Sequence, residues 1–306
     1  MNKRLIYSLI IFFTVVVSTS YMVTIPENVW AVNENGVMKD PDLNYYVVGG
    51  KFGTGHDLTI AISQPLAKVN IYLMPVFFFF VFTVGVYYLI GPVVKRPEWA
   101  FIIAPLTPLT TVLAQIFSVG LFWFALGAYL RFKNTTVYQK RYMALITLFL
   151  FLACLAHFWG GICMIAAFGF FVLIDKRPKL LILAAPALVV LVVVALHMQF
   201  TPAGMFTKEF MQYAPGEIPT FFSLFTRQMS FLLSAGLGVV WLALYRQWSF
   251  LKLVIPLLIF PILLMLLLPY DWVWRLFYFM PLLPLTSVVM SYIFEGRKLK
   301  LIKLRG

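Results

Sequence analysis

Asn70-Ile-Tyr-Leu-Met-Pro-Val-Phe-Phe-Phe-Phe-Val-Phe-Thr-Val-Gly-Val-Tyr-Tyr-Leu-Ile-Gly91 contains no charged residue. A helix needs a run of about 20 such residues to cross a hydrocarbon core about 30 Å thick. Runs of this kind recur along the 306-residue chain, which is 62% hydrophobic, 18% aromatic and only 11% charged. The mean hydropathy is +0.92, and soluble domains carry about 25% charge. The alternating segments of about ten residues that mark a β-barrel are missing. The composition therefore predicts an all-α fold, a polytopic transmembrane helical bundle.

That run is the predicted span 70–91, and working outward from it further spans are predicted at 99–114, 116–132, 142–157, 160–174, 180–199, 222–244, 253–269 and 276–294. Upstream, Lys3 and Arg4 precede the apolar run Leu5–Val23. It reads as an uncleaved signal anchor, with a cleaved signal peptide as the alternative because Ser18 and Ser20 are small. The total is about ten spans in one transmembrane domain, 1–306, with a long first loop over 24–69.

Residues 99–132 fit either one long tilted helix or two shorter helices turning near Gln115–Ser118. Two helices keep the charges in step with the topology. Lys95, Arg96, Arg131, Lys133, Lys140, Arg141, Lys176, Arg177, Lys179, Arg246 and Lys252 then share one side with the basic tail. Glu27, Glu34, Asp40, Asp42, Asp57, Glu209, Glu217 and Asp271 fall on the other, leaving Glu98, Asp175 and Glu295 with the bases. About 18 of the 24 Lys and Arg lie on the basic side, as the positive-inside bias requires. Both termini are thus expected in the cytoplasm and the 24–69 loop outside, in a multi-pass protein of the cell membrane. The net charge of +13 reads as topology and anionic lipid headgroups, not as a nucleic-acid surface. Cys154 and Cys163 read as small apolar residues within spans.

Polar residues are few, so their concentration is informative. Asp40-Pro-Asp-Leu-Asn-Tyr-Tyr46 and the following Gly49, Gly50, Gly53, Gly55, His56 and Asp57 all lie in the 24–69 loop. Asp40 and Asp42 precede a short helix expected near Leu43. They are either N-terminal caps or a general base or metal ligand at a membrane-edge cavity. Asp271-Trp-Val-Trp-Arg275 is either an interfacial belt or a phosphate clamp built on the guanidinium fork. His157-Phe-Trp-Gly-Gly161 falls at an outer turn, and no second His at i+3 or i+4 makes a zinc-protease pattern. Arg227 lies about one turn inside its span, as an ion-pair partner of Glu209 or Glu217 or as a phosphate contact. A phosphate loop, a serine-hydrolase elbow and a Cys-x-x-Cys pair are all missing from the sequence.

Taken in order, these elements resemble the GT-C class of integral-membrane glycosyltransferases, which includes the dolichyl-phosphate mannosyltransferases and the aminoarabinose and oligosaccharyl transferases. The resemblance is carried by Asp42-Leu-Asn-Tyr-Tyr-Val-Val-Gly-Gly-Lys-Phe-Gly-Thr-Gly-His56 and by Gln64-Pro65-Leu66. Ala104-Pro-Leu-Thr-Pro108 through Arg131, and Arg275-Leu-Phe-Tyr-Phe-Met-Pro281-Leu-Leu-Pro284, extend it. It implies transfer of a sugar from a polyprenyl-phosphate donor to an acceptor at the outer face. Asp42 would be the catalytic base, with Asp40 competing for the role, and Arg275 would hold the donor phosphate. Tyr45, Tyr46, His56, Asp57, His157 and Arg227 complete the candidate substrate-binding set. The sequence is short for this class and has no acid in Gln115-Ile-Phe-Ser118, which weakens a metal-dependent mechanism and leaves room for a metal-independent or degenerate enzyme, with a divalent cation still open as a cofactor. The alternative reading is a non-catalytic membrane subunit or lipid-binding transport protein on the same scaffold. A coupled transporter would carry ionisable residues near mid-membrane, and these spans have almost none. The partners expected are the lipid-linked donor and membrane lipid.

Overall fold

The computed structural model describes residues 55–70, 73–103, 113–200, 229–254, 256–257 and 283–294. Among them the chain is helical, with no strand. The main helices are α1 (Asp57–Val69), α2 (Leu73–Ile90), α3 (Ala100–Ile103), α4 (Leu113–Asn134), α5 (Gln139–Ala156) and α6 (Phe158–Ile174). A 3-10 segment, Pro178–Ala184, runs into α7 (Ala185–Phe200). α8 (Met229–Leu244), a helix over 248–254 designated α9, and α10 (Leu283–Phe294) follow. Ala114–Asn134, Gln139–Ala156 and Pro178–His197 are long and apolar enough to cross a membrane, and mark a helical membrane protein. Val76–Ile90, Phe158–Ile174 and Pro284–Ile293 are shorter apolar helices.

The middle of α4, residues 119–130, is apolar on every side, and such a stretch belongs at the centre of a bundle. α4 is 89% buried along its span, against 28% for α5. The turn expected near Gln115–Ser118 is replaced by continuous helix from Leu113 onward. The polar pair that looked like a turn signal is instead buried, with the Ser118 hydroxyl donating to the Ala153 carbonyl of α5 at 2.9 Å. The second difference is α1, a helix of 13 residues within the stretch expected to be loop. The short helix expected near Leu43 lies outside the described residues.

Packing fixes the relative directions of the helices. Phe78 lies beside Phe117 with ring centroids 4.7 Å apart. Further along, Gly85 faces Gly120, and Tyr88 faces Gly127. α2 and α4 therefore run parallel, so the chain between them starts at one end of the bundle and finishes at the other. The glycines explain how close they come: a Cβ on Gly120 would meet the Phe82 backbone at 2.7 Å. α5 is antiparallel to α4, as the stacking of Phe149 on Phe124 at 4.9 Å adds to the Ser118 contact. α10 runs parallel to α8, with Gly238 against Leu285 and Tyr245 stacked on Tyr292 at 4.8 Å.

One end of the bundle collects the cations. Arg131 lies over the Tyr88 ring at 3.7 Å and donates to the Tyr88 carbonyl at 2.7 Å. Lys133 pairs with Asp175 at 2.6 Å, and the Tyr129 hydroxyl donates to the same carboxylate at 2.7 Å. Ser291 bonds the Arg96 carbonyl at 2.9 Å, joining α10 to this end. Lys95, Arg96, Lys140, Arg141, Lys176, Arg177, Lys179, Arg246 and Lys252 are exposed there. Glu98 and Asp175 are the acids among the described residues at that end.

α6 and α8 both stop in Schellman turns, whose last carbonyls are satisfied by amides beyond the helix. Lys176 N donates to Leu173 O and Arg177 N to Val172 O, both at 2.9 Å. Arg246 N donates to Ala243 O at 3.0 Å and Gln247 N to Leu242 O at 2.7 Å. The residue after such a cap takes a left-handed conformation, for which glycine is usual. Here it is Lys176 and Arg246, each with φ 56°. That conformation costs a residue with a Cβ about 1–2 kcal/mol, and an exposed cation recovers about 0.3–1 kcal/mol from the helix dipole.

Candidate functional site

The end opposite the cations is built around a one-residue turn. α5 ends at Ala156 and α6 begins at Phe158, with His157 alone between them in extended backbone at φ −158°. A buried turn exposes the last carbonyls of one helix and the first amides of the next, and each needs a partner. Side chains and backbone from three other segments supply them. Ala153 O accepts from His157 N at 3.2 Å and from Ser118 Oγ at 2.9 Å. Ala156 O accepts from Thr59 Oγ1 of α1 at 2.8 Å. Phe158 N donates to Gly55 O at 2.7 Å, and Gly160 N donates to the His157 imidazole Nδ1 at 2.8 Å.

This accounting explains the shape of the chain before α1. Gly55 has φ 86°, in the left-handed region glycine adopts without a steric cost. That bend presents its carbonyl to Phe158 and sets His56 against His157. The two rings meet edge to face, 5.0 Å between centroids. α1 is thus clasped to the α5–α6 turn by two hydrogen bonds and a ring contact. Its buried face carries Thr59, Ile60 and Ser63, and Ile60 packs on Ala114 at the start of α4.

The electrostatics of the clasp follow from burial. The His56 Nδ1 atom is buried, and desolvation pushes the imidazole down to about 4, so the ring is neutral near pH 7. His157 accepts a hydrogen bond at Nδ1, which a doubly protonated ring does not do. Two neutral imidazoles suit hydroxyl and amide partners. Near neutral pH His56 brings no positive charge with which to hold a phosphate.

Five of the buried polar residues, Thr59, Ser63, Gln115, Ser118 and His157, belong to this end, where the bundle is otherwise apolar. The structure therefore brings together two stretches of sequence read separately, the His56–Asp57 end of the loop and the His157 turn. Asp57 opens the first turn of α1, where its charge favours the helix start. Thr59, Ser63 and Ser118 were not among the candidates. A hydroxyl just before the long apolar run of α4 was the available signal for Ser118. Asp40, Asp42, Tyr45, Tyr46, Arg227 and Arg275 lie outside the described residues. Among the described residues no three His, Cys, Asp or Glu side chains are grouped to hold a metal ion.

Comparison of the chain with protein-family models, with curated proteins and with solved structures finds no match.

Proposed function

We propose that the protein is a membrane glycosyltransferase of the GT-C kind, moving a sugar from a polyprenyl-phosphate donor to an acceptor. The observation that supports this reading is the clasp. It anchors the C-terminal end of the 24–69 loop, in which Asp40 and Asp42 reside, at the end of the bundle opposite the cations. With the cationic end in the cytoplasm, as the positive-inside bias favours, that loop works at the outer face of the cell membrane, and both termini lie inside.

In this scheme the Asp42 carboxylate takes the proton of an acceptor hydroxyl. The acceptor oxygen bonds to the anomeric carbon as the bond from that carbon to the phosphate oxygen breaks. Negative charge gathers on the departing lipid phosphate, and the Arg275 guanidinium stabilises it. The neutral His56 and His157, with Tyr45 and Tyr46, suit the uncharged hydroxyls of a sugar. Arg227 is a second candidate contact for the phosphate. The polyprenyl chain remains in the bilayer and contributes affinity through its buried methylenes.

The test uses purified full-length protein supplied with polyprenyl-phosphate sugars. Asp42→Asn should abolish transfer in protein that remains folded, and undiminished transfer excludes Asp42 as the base, with Asp40→Asn testing its competitor. Arg275→Ala should weaken donor binding, and unchanged affinity returns Arg275 to an interfacial role. Wild-type protein inactive with every donor would favour a non-catalytic subunit.

A further inference from the structure

We infer that the cationic end is a docking surface for anionic phospholipid headgroups, anchored by Lys176 and Arg246. The inference does not depend on the proposed transferase activity. Three observations carry it.

The first is charge asymmetry. Nine exposed cations crowd this end, and the carboxylate of Asp175 is already engaged by Lys133 at 2.6 Å and Tyr129 at 2.7 Å. Glu98 is the other acid among the described residues at this end, so most of the positive charge faces outward. The second is position. The cations flank helices apolar enough to cross a bilayer, coming after Ala114–Asn134 and at the start of Pro178–His197, which puts them at headgroup depth. The third is backbone conformation. Lys176 and Arg246 both occupy left-handed positions where glycine fits better, in two Schellman turns. The turns are neighbours, because one crevice is lined by Asp175 from the first and by Ser249 and Lys252 just beyond the second.

A long cationic side chain at a site that favours glycine indicates that its charge has a use beyond the turn. A phospholipid phosphodiester fits that use. It is anionic, it lies at this depth, and the flexible ammonium and the guanidinium fork both bind phosphate oxygens. Lys252, which lines the crevice shared by the two turns, would add a further cation to the headgroup.

The conformation also supplies the test. Lys176→Gly with Arg246→Gly removes both charges while giving each turn the residue its backbone favours, so fold and binding separate. Full-length protein in neutral detergent is titrated with phosphatidylglycerol or phosphatidylcholine, and bound lipid is counted by native mass spectrometry. A cation near an anionic headgroup is worth about fivefold in association. Phosphatidylglycerol should bind wild type at least fivefold tighter than phosphatidylcholine, and the double variant should lose most of that preference while its thermal midpoint is kept or raised. Equal binding of the two lipids by wild type overturns the inference. So does a double variant whose phosphatidylglycerol affinity changes less than threefold. Inorganic phosphate, added alone, should not compete at equimolar concentration with the lipid. Competition there would assign the site to free phosphate and overturn the lipid assignment.

Discussion

Gly120→Ala tests the close approach of α2 to α4. A methyl carbon on Gly120 would stand 2.7 Å from the Phe82 Cα and 2.9 Å from its nitrogen. Carbon atoms settle at about 3.5–4.0 Å, so the helices must part by about 1 Å. The obstacle is backbone, which cannot swing aside as a side chain does. Overpacking a well-filled interior costs about 1–3 kcal/mol, and a backbone obstacle puts this variant in the upper half of that range. At about 2–4 °C per kcal/mol, the thermal midpoint should fall about 5–10 °C. The assay is far-UV circular dichroism of the full-length protein in neutral detergent. Gly236→Ala on α8 is the control, because an added Cβ there meets nothing within 4 Å. Alanine is the better helix former by about 0.8–1.0 kcal/mol, so this variant should hold or gain a few degrees. A Gly120→Ala midpoint at or above wild type would refute the argument, as would equal losses in both variants.

Two further outcomes are expected. His56 has a folded value of about 4 against about 6.5 in the unfolded chain, so between these values the unfolded state binds the additional proton. Stability from this group is complete above about pH 6.5 and declines as the pH falls toward 4, by about 2 kcal/mol between pH 7 and 5. His56→Gln should remove that part of the acid sensitivity, and identical pH profiles for variant and wild type would exclude His56 as its source. Separately, Asp175→Asn strands the Lys133 ammonium at a site where its side chain is 13% exposed, and breaking such a pair costs about 3–5 kcal/mol. Lys133→Met combined with Asp175→Leu should recover most of the loss. A single variant no less stable than the double would show that the two charges are not coupled.

Two of the predicted runs were legible because a helix that meets lipid or an apolar core must itself be apolar. The run at 142–157 became Gln139–Ala156, and 160–174 became Phe158–Ile174. His157 marked the turn between them. Gln115 and Ser118 misled because polar residues signal a turn only when water would otherwise satisfy them. Here the Ser118 hydroxyl serves a carbonyl at the end of α5, a need that arises only after α4 and α5 have packed. α1 was hidden for a related reason. Its first turns are held by Ala156 and Phe158, nearly a hundred residues away. The meeting of His56 with His157 has no local periodicity to announce it. The proposed base and phosphate ligand, Asp42 and Arg275, rest on resemblance, since both fall outside the described residues.

The parallel alignment of α2 with α4 bears on the order of assembly. Antiparallel neighbours such as α4 and α5, or α5 and α6, can close as hairpins soon after the second member is made, because little chain separates them. α2 has no such option: its partner begins only at Leu113, at the opposite end of the bundle from where α2 finishes. Until then the surface around Phe82 and Gly85 stands uncovered. A chain halted after Ile103 would carry that surface permanently, whereas a fragment spanning 113–174 keeps its local pairings. A chain that stops before Leu113 therefore cannot make the Gly85–Gly120 approach at the centre of the bundle, whatever its earlier helices do.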